Sequence, residues 1–73
     1  MKINEKILQN FFKSNNIIAK ANTDLVKNNI LDSLMMVKLV LFIEKKTKKK
    51  FDISKFKMNN FKSIKKIMKF INE

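Results

Sequence analysis

The chain contains neither glycine nor proline in its 73 residues. Tight hairpin turns depend heavily on those two residue types, so a fold with many antiparallel strands is disfavoured. Apolar residues recur instead at three- and four-residue spacing, and Lys, Leu, Met and Ile are abundant, which favours helices. We therefore expect one all-α domain over residues 1–73. Cysteine and histidine are also absent, so neither a disulfide nor a zinc site is expected to stabilise it.

The apolar periodicity predicts three long helices, over about residues 2–14, 33–46 and 63–72. A short helical turn is predicted near residues 54–56. The result would be a small four-helix bundle, with three long helices and one short one. Residues 19–31 form a long connection between the first two helices, and a connection of this length is usually either functional or disordered.

Apolar residues in the connecting segments predict that these segments are ordered. Leu25 is expected to anchor the long connection, Ile17 and Ile18 to lie beneath it, and Met58 to anchor the segment before the last helix. Asn29 suits a left-handed backbone position, because Asn tolerates a positive φ better than most residues. Ser63 is a good N-cap for the last helix.

Asp32 and Ser33 stand where the long connection meets the second helix. Asp is a strong N-cap, so Asp32 is expected to begin this helix and Ser33 to be its first residue, facing outward. A phosphate attached to Ser33 would meet the positive end of the helix dipole and unpaired backbone N–H groups. An isolated Asp-Ser pair is also typical of an ordinary helix cap, and that alternative stays open here.

The second helix is apolar around most of its circumference, as expected for a helix packed by the others. Leu34, Met35 and Leu41 are predicted to remain exposed as a docking patch. The helix ends in five lysines within residues 45–50, interpreted as a solvated helix end and loop.

The net charge of +11 suggests a negatively charged partner, which could be nucleic acid, an acidic membrane surface or an acidic protein. All seventeen basic residues are Lys, however, whereas recognition of bases and phosphates favours Arg, so no specific nucleic-acid site is predicted. No stretch is apolar enough to span a bilayer, and the N-terminal residues lack the apolar core of a signal peptide. A cytoplasmic monomer is expected.

Catalysis by this chain is not expected. His and Cys, the commonest general base and the best thiol nucleophile, are missing, and the six carboxylates are scattered. There is no glycine-rich phosphate loop. We assign no catalytic residue and no metal ligand.

The order of these features resembles the acyl and peptidyl carrier proteins over nearly the whole chain. The similarity rests on a first helix, a long ordered loop, and Asp32-Ser33-Leu34 opening a second helix. The phrases that resemble stand-alone peptidyl and D-alanyl carriers are Asp24-Leu25…Asn29-Ile30-Leu31 before the serine and Asp52-Ile53-Ser54-Lys55-Phe56…Asn59-Asn60-Phe61 after the second helix.

The resemblance implies that Ser33 receives 4′-phosphopantetheine from coenzyme A by the action of a phosphopantetheinyl transferase. An acyl or aminoacyl cargo would then travel as a thioester on that arm, to be loaded and unloaded by partner enzymes. Asp32 would cap the helix and present the serine. The residues implied to contact partners are Leu34, Met35, Val37, Lys38 and Leu41.

The second helix departs from the family in its charge. Carrier proteins are typically acidic along this helix, whereas Lys38, Lys45 and Lys46 lie there in this sequence. Because electrostatics largely determine steering and partner choice, we expect partners whose docking sites are acidic or apolar. The alternative function is a small basic helical module that binds nucleic acid or an acidic protein.

Overall fold

The computed structural model describes residues 3–51 and 57–72. Within these two ranges the chain forms α1 (Glu5–Ser14), α2 (Ser33–Thr47), a 3-10 helix (Met58–Phe61) and α3 (Ile64–Asn72), and no strand. The all-α prediction is confirmed for the described residues. The short turn predicted near residues 54–56 lies outside them, so the described part of the chain holds three α-helices and a 3-10 helix and does not confirm four helices.

Side chains at the N-terminus of each helix explain where the helices begin. The Asn4 side chain accepts a hydrogen bond from the backbone N–H of Ile7 at 2.8 Å. The helix predicted from residue 2 therefore starts at Glu5, since Asn is one of the best N-caps. Ser63 accepts from the backbone N–H of Lys66 at 3.2 Å, which confirms the predicted cap of α3.

The core is formed by one side of each helix together with residues from the connecting segments. Its fully or nearly buried members are apolar, and no polar residue is buried among the described residues. They include Leu8, Phe12, Leu25, Leu39, Ile43, Phe61, Ile64 and Ile67. Phe12 on α1 is completely buried.

Two predicted anchors are wrong. The Ile18 side chain is 80% exposed, and Met58 is also exposed. The backbone explains the first case, because Asn16 adopts a positive φ of 65° and Ile17 donates to the carbonyl of Phe12 at 2.9 Å. This turn leaves Ile17 partly buried against the core and Ile18 in solvent.

The beginning of the described chain is joined to the end of α3. Asn72 donates through Nδ2 to the carbonyl of Ile3 at 2.8 Å, and the Ile3 N–H donates to Asn72 Oδ1 at 3.2 Å. One amide side chain thus satisfies both backbone groups of a buried residue. This pair joins the segment before α1 to the last residue of α3.

Candidate functional site

The site is built around the first turn of α2. Asp32 adopts an extended backbone, and its Oδ1 accepts from the N–H of Met35 at 2.8 Å, while its carbonyl accepts from Met36 at 2.8 Å. Asp32 is thus the N-cap and Ser33 the first helical residue, as the sequence predicted. Both side chains are exposed.

Ser33 differs from the other serines in the described ranges. Ser14 donates to the carbonyl of Phe11 at 2.7 Å, and Ser63 is engaged as the cap of α3. No group in residues 3–51 or 57–72 hydrogen-bonds to the Ser33 hydroxyl. Ser54 lies outside these residues. An exposed hydroxyl beside the unpaired N–H groups of a helix start suits attachment of a phosphodiester.

The long connection is ordered by its own hydrogen bonds. Asp24 Oδ1 accepts from the N–H groups of Val26 at 3.1 Å and Lys27 at 2.8 Å. The completely buried Leu25 donates its N–H to the carbonyl of Lys62 at 2.7 Å, which ties the connection to the segment before α3. Asn29 has a φ of 56°, so the predicted left-handed position is confirmed.

Apolar residues on either side of Asp32 fix the direction in which the chain enters α2. Leu31 precedes the cap and Met36 follows four residues after it, and both are buried in the same core cluster. This is the spacing of a hydrophobic staple, which sets the angle between a helix and the preceding chain. The position of Ser33 is therefore determined from both sides, by the core and by the cap.

The predicted docking residues on α2 divide into two groups. Leu34, Val37 and Leu41 are 65%, 41% and 59% exposed, and Lys38 is exposed as well. Met35 is only partly exposed, because it packs against the core.

The exposed members share one side of the helix with Lys45. At about 100° per residue, Leu34, Val37, Lys38, Leu41 and Lys45 fall within a sector of roughly 100°. We call these five residues the outer stripe of α2. The buried residues Met36, Leu39 and Ile43 lie on the opposite side.

The C-terminal end of α2 is strongly basic. A shallow groove of about 330 Å³ lies there, lined by Leu41, Glu44 and the lysines Lys45, Lys48, Lys49 and Lys50. Glu44 Oε2 accepts from the backbone N–H of Phe51 at 2.7 Å, so the one carboxylate of this groove already has a hydrogen-bond donor. The Lys46 ammonium lies 5.7 Å from the centre of the Phe42 ring and therefore points away from the outer stripe.

Sequence reasoning missed one cavity. A cleft of about 400 Å³ lies between the long connection and the 3-10 helix, lined by Asp24, Val26, Lys27, Met58, Asn59 and Lys62. Lys62 Nζ lies 3.9 Å from Asp24 Oδ2 across it. The two walls of the cleft, residues 24–27 and residues 58–62, are more than thirty positions apart in the chain, so no local sequence pattern indicates the cleft.

The described residues contain no cluster of three or more side chains suited to hold a metal ion. In the same ranges, none of the helices has the length and apolar character that crossing a membrane requires. Comparison with known protein families, with characterised proteins and with solved structures finds no match to this chain.

Proposed function

We propose that this chain is an acyl carrier protein, modified on Ser33 with 4′-phosphopantetheine. The observation that carries the proposal is the exposed hydroxyl of Ser33, which no group in the described ranges engages, in the first turn of α2 directly after its Asp32 cap. When bound, the group would supply a terminal thiol on which an acyl or aminoacyl cargo travels as a thioester. Without cysteine, the chain has no thiol of its own.

The remaining parts of the proposal follow from the same arrangement. Asp32 holds the first turn in place so that Ser33 can be reached by a phosphopantetheinyl transferase. Leu34, Val37, Lys38 and Leu41 contact that transferase and the enzymes that load or remove cargo, and Met35 contributes its exposed part. The chemistry belongs to these partners. The protein acts as a cytoplasmic monomer with a four-helix, carrier-like bundle.

The test is an intact mass measured before and after incubation with coenzyme A and a permissive transferase. We expect the mass gain of one phosphopantetheine and one new thiol that reacts with a thiol reagent. Ser33→Ala should abolish both changes, while Ser14→Ala should retain both, because Ser14 is an exposed serine at the other end of a helix. Absence of the gain both with several transferases and in protein recovered from its native host would refute the proposal.

A second function is favoured by a different observation, the lysine-lined groove at the end of α2. We propose, as the alternative, a basic helical module that binds nucleic acid or an acidic protein through this groove. Non-specific attraction to DNA or RNA would weaken steeply with rising salt. Saturable binding that discriminates between sequences, and that persists in Ser33→Ala, would support this alternative over the carrier.

A further inference from the structure

The outer stripe of α2 changes character along its length. Its apolar members, Leu34, Val37 and Leu41, begin immediately after Ser33, whereas Lys45 lies at the far end, beside the lysines of the basic groove. With a rise of 1.5 Å per residue, Leu34 and Lys45 are about 16 Å apart along the helix axis. The stripe is therefore mainly apolar next to the serine, where Lys38 is its one charged member, and it is positive from about one turn beyond Leu41.

Among the described residues, lysines outnumber acidic side chains at the positive end, where Glu44 lies with Lys45, Lys48, Lys49 and Lys50. The Glu44 carboxylate accepts the Phe51 N–H and keeps its negative charge, so it offsets only part of the positive charge of this groove. Asp32 is at the opposite end of α2 and caps it. A partner that covers the outer stripe would consequently meet an excess of positive charge from the described residues at a fixed distance from Ser33.

We infer that the enzymes acting at Ser33 bind this stripe through an apolar groove beside their active-site entrance and an acidic patch about 16 Å farther along. The inference rests on the proposed function and specifies the partner of that same site. Charge complementarity selects the partner, because a basic docking surface would face Lys38 and Lys45 with like charges. The apolar groove would cover the three exposed aliphatic side chains.

A partner protein accounts for this surface better than a lipid surface does. A helix lying in a membrane interface needs a broad apolar face with charges at its borders. Here Lys38 lies among the apolar side chains, within the stripe itself. Membrane insertion would also cover Ser33, which must stay accessible in the proposed function.

The experiment uses one transferase in two forms, with the intact chain as substrate. The first form has a basic carrier-docking groove, and in the second the basic residues of that groove are changed to Glu. The stripe variant is Lys38→Glu with Lys45→Glu. The control variant is Lys13→Glu with Lys66→Glu, which has the same net charge but places the changes on α1 and α3. The rate of phosphopantetheine transfer to Ser33 gives kcat/KM for each pair.

We expect the wild-type chain to be modified faster by the acidic form of the transferase. The stripe variant should reverse this preference, with changes in kcat/KM of about tenfold or more, and the control variant should change it by less than about threefold. The difference should largely disappear at about 0.5 M salt, where charges are screened within a few ångströms. A Lys38→Gln and Lys45→Gln pair, which removes charge without adding acid to the helix C-terminus, should give an intermediate result.

Equal effects of the stripe and control variants would overturn this inference while Ser33 modification continued to support the carrier. Loss of modification in every pairing would instead overturn the proposed function and the inference together. Vesicles of phosphatidylglycerol provide the remaining arm. If the stripe variant loses binding to these vesicles but has the same kcat/KM as the control variant, the outer stripe binds a lipid surface and the inference is wrong.

Discussion

Replacing Asp32 by Ala tests whether the cap of α2 presents Ser33. The substitution removes the oxygen that accepts the Met35 N–H at 2.8 Å. Asn4 provides a matched control, since its side chain accepts the Ile7 N–H at the same distance and is likewise exposed. The two residues thus make the same hydrogen bond on different helices, and only one of them is next to the candidate serine.

The expected loss of stability follows from these contacts. Removing a cap costs about 1 kcal/mol, and losing a negative charge at a helix N-terminus costs roughly 0.3–1 kcal/mol more. Asp32→Ala should therefore destabilise the protein by about 1.5 kcal/mol, which lowers Tm by roughly 6–12 °C in a domain of this size. Asn4→Ala should cost about 1 kcal/mol, and Asp32→Asn roughly 0.3–1 kcal/mol, because the amide oxygen can still accept the hydrogen bond and only the charge is lost.

The two Ala variants should differ in a second assay, the transfer of phosphopantetheine to Ser33. If the first turn of α2 presents the serine, Asp32→Ala lowers kcat/KM by up to about tenfold, the factor that corresponds to 1.4 kcal/mol. Asn4→Ala should leave kcat/KM nearly unchanged below its melting temperature. Equal effects of the two substitutions on kcat/KM, or a Tm shift below about 2 °C for Asp32→Ala, would refute this reasoning.

Three further predictions concern the fold. Leu39→Ala should lower the free energy of unfolding by about 2–5 kcal/mol, whereas Leu41→Ala on the outer stripe should change it by less than about 0.5 kcal/mol. Similar urea midpoints for the two variants would contradict the assignment of Leu39 to the buried side of α2 and Leu41 to the exposed side. Lys66→Glu should raise Tm, because Glu at the third helical position after Ser63 completes a capping box worth about 0.5–1 kcal/mol. Lys69→Glu should lower Tm, because it places a negative charge in the last turn of α3. Raising salt from low to physiological concentration should increase Tm by screening the lysines, and a flat response would show that their repulsion is negligible.

The residue types at Asp32 and Ser63 make the starts of α2 and α3 predictable from the sequence. Residue type and local sequence predict two N-caps, Asp32 and Ser63, and one left-handed position, Asn29. The structure confirms all three. Asn4 was overlooked because the apolar pattern begins with Ile3, one residue before the cap. Periodicity marks which residues are buried, and Ile3 is buried before the helix starts.

Contacts between distant segments were not predictable in this way. The pairing of Asn72 with Ile3 joins residues 69 positions apart, and nothing in either local sequence indicates it. The turn at Asn16 determines that Ile17 faces the core and Ile18 faces solvent, although the two residues are chemically identical. A choice between identical neighbours depends on backbone geometry rather than on residue type.

The outer side of α2 shows what sequence and structure provide together. In α1 and α3 the apolar residues concentrate on the buried side, so periodicity alone separates core from surface. In α2 they surround the helix, and only the structure shows that Leu34, Val37 and Leu41 face outward. These three exceed what the core requires, since Met36, Leu39 and Ile43 already fill the inner side. Exposed aliphatic side chains that lie outside the core, next to a serine whose hydroxyl no described residue engages, suit the transient partner binding that the proposed function requires.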